Sequence, residues 1–169
     1  AEMVGGKLFT KIDIRSAYNS LKLREGDRIL TTMNTELGLL MWTRLPFGIN
    51  SAGAQFQSTI DEVLLGIDQT CCRVDDILIT GQNDKEHMSN VKQVVDRLEQ
   101  AGFRCRLDKS KFMEPKVIYL GHEVSAKGIK PVTSKVETLN KAGYPESRDQ
   151  MIAFLGAVQY YARYLPNLS

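Results

Sequence analysis

The chain has few of the residues that would indicate a secreted scaffold or a membrane protein. Its three cysteines, Cys71, Cys72 and Cys105, are an odd number with two adjacent members, which does not suggest a disulfide framework. We expect them to be buried, reduced thiols. No apolar run approaches the roughly 20 residues of a membrane-spanning helix. The sequence therefore predicts neither structural disulfides nor a membrane partner.

An excess of charge of one sign is also lacking. The 22 lysines and arginines are nearly balanced by 20 aspartates and glutamates, so the formal net charge is only +2. A polyanionic partner would therefore have to be bound through local basic patches. What the chain does have is an ordinary globular composition, 43% apolar and 25% charged, and 169 residues suffice for one domain with a small appendage. Because the chain opens at Ala1 rather than at a methionine, we expect it to be part of a longer product.

The periodicity of the apolar residues predicts an α+β fold. Strands are expected at residues 8–14, 29–33, 39–44, 70–74, 77–80, 117–120 and 123–125. Helices are expected at residues 51–65 and 84–101, after Pro131, and from Ser147 towards Pro166. Asn83 and Ser147 are predicted N-caps, and Gly66 and Gly102 are predicted helix stops. The predicted buried stripes are Phe56, Ile60, Val63 and Leu64; Met88, Val91, Val95 and Leu98; and Met151, Phe154, Leu155, Val158 and Tyr161.

The order of these elements also suggests how the chain is divided. The hairpins imply antiparallel pairing. The segment 143–145 is the only linker-like stretch. We expect a sheet-based body over residues 1–130 and a helical end over residues 131–169.

Two adjacent carboxylates, Asp75 and Asp76, carry the strongest local signal. Neighbouring residues of a regular strand point to opposite faces, but the bend expected between residues 70–74 and 77–80 can direct both carboxylates to one place. Clustered carboxylates raise one another's pKa unless a cation compensates, and Mg²⁺ is the usual cation with a preference for oxygen ligands. The alternative interpretation is that the pair is only turn chemistry.

Asp13 supplies a third carboxylate at the end of a strand-like segment of similar apolar character. If this strand lies beside the Asp75–Asp76 bend, three carboxylates converge at one end of a sheet. Such a set can hold two metal ions, one activating an attacking hydroxyl and the other stabilising a leaving phosphate, as in nucleotidyl transfer. The spacing also allows Asp13 to be a solvated strand-end residue.

Seven ordered motifs from residue 8 to residue 169 resemble the reverse transcriptases of gypsy-type LTR retrotransposons. Residues 9–18 are similar to the first catalytic motif, in which a tyrosine follows an aspartate by five positions, and residues 73–78 occupy the place of the "YxDD" box. The other matches are residues 44–57 to "mPFGL-nAPatFQ", 109–112 to "KCeF", 119–125 to "fLGHxvs" and 154–167 to "FLGxxxYYrrFipn", with Glu86-His87 and Arg97-Leu98 at the expected distance. Seven motifs at consistent spacing are far more specific than any one of them.

The resemblance implies a polymerase palm, an antiparallel sheet with helices on one face and a ferredoxin-like core, plus part of the fingers and the start of the thumb or connection. It implies an RNA-directed DNA polymerase that uses two Mg²⁺ ions, or Mn²⁺, to extend a primer on an RNA or DNA template with dNTPs. The expected partners are the template–primer and the RNase H, integrase and protease domains of a Pol polyprotein. The expected location is a cytoplasmic virus-like particle, with the nucleus as the alternative.

The resemblance also implies three groups of site residues. The metal-binding and catalytic acids would be Asp13, Asp75 and Asp76, with Lys109 near the leaving pyrophosphate. The nucleotide would be bound by Ser16 and Ala17 through backbone N–H groups, by Tyr18, which would exclude a 2′-hydroxyl, and by Phe47 and Gly48. The primer end would be held by Arg73, Leu120, Gly121 and His122. Core packing of Tyr18, a surface position for Lys109 and a plain turn role for His122 are the alternatives.

Departures from the family pattern leave a second hypothesis open. Arg73 replaces the usual tyrosine of the "YxDD" box, and Ser110 replaces the usual cysteine after Lys109. Arg73 favours a decayed or domesticated relative that binds nucleic acid without synthesis. The basic residues Arg104, Arg106, Lys109, Lys111 and Lys116 fit a nucleic-acid backbone and a solvated face equally well. An RNA-recognition domain and a nucleotide cyclase rank lower, since the stacking motif of the first is missing and the second does not explain residues 45–48 and 120–122.

Overall fold

The computed structural model describes residues 5–141 and 143–165. Its strands are β1 (Phe9–Ile14), β2 (Met33–Thr35), β3 (Gly38–Leu40), β4 (Thr70–Arg73), β5 (Asp76–Ile79), β6 (Cys105–Glu114), β7 (Lys116–Tyr119), β8 (His122–Ser125) and β9 (Gly128–Pro131). Its α-helices are α1 (Ala52–Val63), α2 (Asp84–Gln100), α3 (Thr133–Lys141) and α4 (Arg148–Tyr160). Short 3₁₀ helices span Tyr18–Ser20, Glu25–Thr31 and Ala162–Tyr164.

A four-stranded antiparallel sheet in the order β4-β5-β1-β6 forms the centre of the molecule. Side chains alternate along each strand, so Ile12 and Ile14 of β1 and Ile77 and Ile79 of β5 share one face and pack against helices α1 and α2. The helices contribute Phe56, Ile60, Val94 and Leu98 to this core. The sheet with its two covering helices confirms the predicted α+β class.

The opposite face of the central sheet carries a smaller apolar cluster and the acidic residues. Phe9 and Leu78 pack there against Val117 and Val124 of the three-stranded sheet β7-β8-β9. Asp13 follows Phe9 at the same alternation of β1, and it lies opposite Asp76 of β5. The acids therefore lie beyond an apolar patch, on the face that α1 and α2 leave open.

Strands β6 and β9 were not predicted from the sequence. Residues 105–114 read CRLDKSKFME, with no alternation of apolar and polar positions, because β6 is an irregular edge strand with two shifts of register against β1. The strand predicted at residues 29–33 was wrong for its first four positions, since β2 begins at Met33. Residues 25–31 form a 3₁₀ helix instead, at whose end the Thr31 and Thr32 hydroxyls donate to the carbonyls of Arg28 and Ile29.

The helix boundaries follow the predicted signals more closely than the buried stripes do. The Asn83 and Ser147 side chains accept hydrogen bonds from the N–H groups of Glu86 and Gln150, and Gly66 and Gly102 have positive φ angles of 79° and 78°. In α2 the buried residues are His87, Asn90, Val91, Val94 and Leu98, whereas Met88 and Val95 are exposed.

No residue of α4, all of which the structure describes, is buried. The stripe predicted for α4 was therefore wrong, since Met151 and Leu155 are exposed. The division into residues 1–130 and 131–169 stays a prediction, and Pro166 lies outside the described residues.

The three cysteines are free and partly buried. Burial raises the pKa of the Cys72 thiol to about 12, which keeps it protonated and unreactive at neutral pH. The sequence predicted buried, reduced thiols; the three thiols are free but only partly buried.

Candidate active site at the end of the central sheet

The turn between β4 and β5 contains Asp75, and Asp76 follows it as the first residue of β5. It is a two-residue turn of Val74 and Asp75, closed by the pairing of Arg73 with Asp76. Val74 has a φ of 55°, which is rare for a β-branched residue and costs on the order of 1–3 kcal/mol. Such strain persists only where the surroundings hold it, and it is found most often at functional sites.

Gln57 of α1 is the side chain that holds this turn. Its Oε1 accepts the N–H of Val74 at 3.0 Å, and its Nε2 donates to the carbonyl of Cys72 at 3.0 Å and to Asp61 at 2.8 Å. On the other side of the turn, the N–H of Ile14 donates to the carbonyl of Asp75 at 2.7 Å. The turn is thus fixed both to the helix layer and to the strand that bears Asp13.

Asp13 and Asp76 face each other across β1 and β5, and Asp75 lies one residue beyond. The pKa of Asp13 is raised, first by burial and then by the negative charge of Asp75, with a smaller contribution from Asp76. Arg106 and Lys109 act in the opposite direction. The strand register places Asp13 beside the Asp75–Asp76 turn, and the charge of Asp75 is the second cause of the raised pKa of Asp13.

Two cations lie against these carboxylates. Lys11 Nζ is 2.9 Å from Asp76 Oδ1, and Arg106 Nε is 3.6 Å from Asp13 Oδ1. Lys109 is exposed on β6 and lines a groove of about 520 Å³ together with Lys11, Lys111 and Lys116. Part of the basic set predicted from the sequence is therefore continuous with the acidic site.

A complete metal cage of protein ligands is not formed. Within residues 5–141 and 143–165, no three His, Cys, Asp or Glu side chains converge closely enough to hold an ion by themselves. The donor set nevertheless suits Mg²⁺, which is usually bound by one or two carboxylates, water and substrate phosphates rather than by an all-protein cage. Burial and the negative charge of Asp75 raise the pKa of Asp13, and Arg106 and Lys109 oppose this rise.

The residues expected at the nucleotide lie just beyond Asp13. The ring of Tyr18 meets Phe47 edge-on at 5.3 Å and Phe56 at 5.7 Å between centroids. Phe47 is 68% exposed, whereas Phe56 is fully buried, so Tyr18 connects the core to an open surface. The expectation of core packing for Tyr18 and its expected place beside Phe47 are therefore compatible.

A left-handed residue lies close to each of these two aromatic residues in the chain, Ser16 near Tyr18 and Gly48 next to Phe47. Ser16 has a φ of 53° and Gly48 a φ of 89°. In the described part of the chain, neither the Ser16 nor the Ala17 N–H donates to another backbone group. Exposed amides next to a left-handed residue can bind an anion.

The turn between β7 and β8 lies within a cluster of tyrosines. Leu120 and Gly121 have φ angles of 47° and 73°. The Tyr160 hydroxyl donates to the Leu120 carbonyl, and the Tyr161 hydroxyl donates to the Gly121 carbonyl at 3.4 Å. His122 stacks on Tyr160 at 5.2 Å and has its Nδ1 3.1 Å from the Tyr164 hydroxyl.

His122 is therefore more than a plain turn residue, because it joins the β7–β8 turn to the C-terminal helix. Burial lowers its pKa, with a smaller contribution from Arg163. The Tyr119 hydroxyl, at the end of β7 next to this turn, donates to the Asp76 carbonyl at 3.5 Å. Arg73 lies elsewhere, beside a groove of α1 lined by Gly53, Gln57 and Asp61.

Four kinds of contact in this region were not singled out from the sequence. They are the Lys11–Asp76 ion pair, the Gln57 clamp, the bond of Ser110 to the strand of Asp13, and the tyrosine hydroxyls on the β7–β8 turn. Lys11 could have been found, because it shares the face of Asp13 two positions earlier. The others depend on tertiary packing that has no local signal.

Comparison with known proteins places this geometry in a family. Residues 1–124 match the family model described as reverse transcriptase (RNA-dependent DNA polymerase). The chain belongs to the reverse transcriptase family. The Tf2-3 and Tf2-7 transposon polyproteins of Schizosaccharomyces pombe are each 30% identical to it over 171 residues, which cover 100% of this chain and 13% of each polyprotein. These relatives confirm the resemblance to the reverse transcriptase domain of a gypsy-type LTR retrotransposon.

Solved structures establish the palm and fingers architecture of this reverse transcriptase domain. A foamy viral protease–reverse transcriptase in complex with double-stranded DNA aligns with a TM-score of 0.89 at 23% identity, covering 97% of this chain and 29% of that chain. The foamy viral enzyme in complex with an RNA/DNA hybrid aligns with a TM-score of 0.83 at 23% identity, covering 93% and 21%. The predicted polymerase fold is confirmed.

Among the described helices, none is long and apolar enough to cross a membrane.

Proposed function

We propose that this domain is the RNA-directed DNA polymerase core of an LTR retrotransposon, which extends a primer on an RNA or DNA template. The observation that carries the proposal is the register of β1 and β5, which sets Asp13 opposite Asp76 and next to the strained turn that holds Asp75. Family membership supplies the reaction class, and this geometry supplies a place for the reaction.

Asp13, Asp75 and Asp76 would hold two Mg²⁺ ions, with Mn²⁺ as a substitute. When bound, such ions activate the attacking hydroxyl of the primer and stabilise the leaving phosphate. The three acids would supply carboxylate oxygens, and phosphate oxygens of the nucleotide would complete the ligand set. Lys11, now paired with Asp76, would then be released towards the phosphates.

The nucleotide would lie between the acids and the Tyr18–Phe47 pair. The Ser16 and Ala17 N–H groups would face its triphosphate, and Tyr18, fixed edge-on between Phe47 and Phe56, would form a wall that excludes a 2′-hydroxyl. Gly48 would let the chain approach the base closely. Lys109 would offset the charge of the leaving pyrophosphate.

The primer and the other partners follow from the surfaces around the acids. Leu120, Gly121 and His122 would hold the primer end, and Arg73 would contact its backbone. The similar foamy viral proteins were solved with DNA and with an RNA/DNA hybrid, which supports a template–primer here. RNase H, integrase and protease domains would be carried in the same polyprotein, with synthesis in a cytoplasmic virus-like particle.

One observation favours a second candidate, a relative that binds nucleic acid without synthesis. Arg73 replaces the usual aromatic side chain directly before the strained turn. The two candidates differ in what they expect of primer extension. The polymerase proposal expects synthesis by wild type and by Arg73→Tyr, whereas a decayed site expects no synthesis by wild type.

Primer extension by the polyprotein that carries this chain tests the proposal. The comparison is between wild type, Asp75→Asn, and the control Asp68→Asn, which alters an exposed acid at the other end of β4. We expect Asp75→Asn to reduce single-nucleotide incorporation by at least about 10²–10³-fold and Asp68→Asn to leave it unchanged. Equal incorporation by wild type and Asp75→Asn would refute the proposal, and no incorporation by wild type would favour the second candidate.

A further inference from the structure

Strand β6 departs from regular pairing beside Asp13. Lys11 pairs with Lys111 and Asp13 with Arg106, so two steps along β1 correspond to five along β6. The extra residues, Leu107, Asp108 and Lys109, are all exposed. A large bulge of this kind interrupts the ladder of hydrogen bonds and redirects nearby side chains.

Ser110 closes the gap that the bulge leaves in the ladder. Its side chain is buried, with only 7% of the residue exposed. Its Oγ accepts the backbone N–H of Asp13 at 3.2 Å and donates to the carbonyl of Arg106 at 2.7 Å. One hydroxyl thus joins the two strands where backbone groups would do so in a regular sheet.

The bridge lies within a closed set of contacts around Asp13. Ser110 fixes the backbone of Arg106, and Arg106 Nε lies 3.6 Å from Asp13 Oδ1. The same hydroxyl fixes the backbone of Asp13 itself. A change at Ser110 therefore acts on the Asp13 carboxylate by two routes, through its own backbone and through its cationic neighbour.

We infer that Ser110 is a positioning residue for Asp13: its hydroxyl replaces a ladder hydrogen bond at the β6 bulge and holds the Asp13 carboxylate where a divalent cation is bound. The inference rests on the proposed function for the identity of the cation. The family usually has cysteine at this position, and a thiol is a weaker donor and acceptor of similar size. The small serine hydroxyl is therefore sufficient to make both hydrogen bonds.

Mn²⁺ binding and amide exchange test this role without requiring synthesis. Titration of the chain with Mn²⁺, followed by the electron paramagnetic resonance signal of the free ion, is compared for wild type, Ser110→Ala and Ser110→Cys. We expect Ser110→Ala to weaken Mn²⁺ binding about 10-fold, the lower end of the effect of removing a partner that orients a metal ligand, and Ser110→Cys to fall between the two. The Asp13 N–H should exchange with solvent at least several-fold faster in Ser110→Ala, because its acceptor is gone.

Ser125→Ala is the matched control. The Ser125 Oγ also accepts an N–H, from Lys127, and donates to a carbonyl, that of Gly128, both at 3.3 Å, but it lies in the β8–β9 hairpin. Its replacement should leave Mn²⁺ affinity and Asp13 exchange at wild-type values. Wild-type values of both quantities in Ser110→Ala would overturn the inference. Should Ser110→Ala not fold, wild-type values of both in Ser110→Cys would overturn it.

The two proposals fail in different ways. If wild type does not extend primers but Ser110→Ala still weakens Mn²⁺ binding, the positioning role stands and the polymerase proposal falls. If wild type extends primers and Ser110→Ala matches it in Mn²⁺ affinity, in Asp13 exchange and in the Mg²⁺ concentration for half-maximal incorporation, the positioning role falls alone.

Discussion

Among the turns of this reverse transcriptase domain that contain a non-glycine residue with positive φ, the Val74 turn and the Leu120–Gly121 turn are held by different means. The Val74 turn is fixed by the Gln57 side chain of α1 and by the N–H of Ile14, and it lies beside the fully buried Ile77 and Phe56. The Leu120–Gly121 turn is held by tyrosine hydroxyls from the end of α4 and the residue that follows it. Helix α4, in contrast to α1, contributes no buried residue.

The difference indicates that the Val74 turn is built into the main core, whereas the tip of the β7–β8 turn is held by tyrosine side chains. The strands that carry the acids pack in the main core. Moving these carboxylates therefore requires disrupting core packing. Strands β7 and β8 pack on the central sheet through Val117 and Val124, whereas the tip of their turn is held by exposed or half-buried tyrosines. Under the proposed function, carboxylates that hold metal ions would benefit from the first arrangement, and a turn that follows a moving primer would benefit from the second.

The largest expected effect comes from the core beneath the acids. Phe56→Ala should lower the free energy of unfolding by about 3–5 kcal/mol, because it leaves a cavity where the fully buried Phe56 ring was. Phe154→Ala in α4 should cost only about 1 kcal/mol, since its side chain is only half-buried. Urea denaturation of both variants measures the two values, and equal losses would show that the comparison of the two regions is wrong.

The Gln57 clamp should show the next largest effect. Gln57→Leu leaves the Val74 N–H and the Cys72 carbonyl without their partner, so it should cost about 1–3 kcal/mol and reduce incorporation more than stability alone explains. Gln93→Leu is the control, because Gln93 is exposed on α2 and its side chain donates only to Ser89 of the same helix among the described residues. Thermal unfolding and primer extension at a temperature where both variants stay folded give the readouts. Unimpaired incorporation by Gln57→Leu would separate the turn from catalysis.

The tyrosine hydroxyls should contribute less. Tyr160→Phe removes the hydrogen bond to the Leu120 carbonyl but keeps the ring stacked on His122, so it should cost about 0.5–1.5 kcal/mol. Faster exchange should be confined to the amides of the β7–β8 turn, with the Val74 turn unchanged. Tyr144→Phe is the control, since Tyr144 is 97% exposed. Exchange that also rises at Val74 would mean that the two turns are coupled.

The smallest expected effect is a dependence on pH at the β7–β8 turn. The pKa of His122 is lowered from 6.5 in the folded chain, chiefly by burial and also by Arg163. The unfolded chain therefore binds more protons, so the stability due to neutral His122 is complete above about pH 6.5 and is lost as the pH falls through the lowered pKa. His122→Gln should flatten part of the decline of stability below that pH. His87, whose pKa is also lowered, keeps its share in both proteins, and an unchanged pH profile would rule out the His122 contribution.

Local sequence signals predicted the elements that carry the acids but not the way those elements are fastened. Asp13, Asp75 and Asp76 could be found because each lies at the end of an apolar strand, and the strand register then set Asp13 opposite Asp76. The family motifs supplied what spacing alone left open, namely that these strands are neighbours in a palm. The caps at Asn83 and Ser147 were predictable because capping is a contact over three residues.

The remaining features depend on contacts between distant residues. Strand β6 is hidden because its bulge breaks the period-two pattern, and Ser110 closes the gap from 97 positions away from Asp13. The buried stripe of α2 was predicted one position off at Val94 and Val95, since nothing in the sequence says that the polar His87 and Asn90 face inward. Helix α4 has apolar residues at helical spacing but no layer above it within the described residues to bury them.

The central claim is that Asp13 and the Asp75–Asp76 turn bind divalent ions together, and a Mn²⁺ titration tests it most directly. Electron paramagnetic resonance of wild type, Asp13→Asn, Asp75→Asn and the control Asp68→Asn would be recorded with a dideoxy-terminated template–primer and dNTP. Asp13→Asn and Asp75→Asn should each weaken Mn²⁺ binding by about 10-fold or more, while Asp68→Asn matches wild type. Wild-type affinity in Asp13→Asn together with a loss in Asp75→Asn would contradict a shared site.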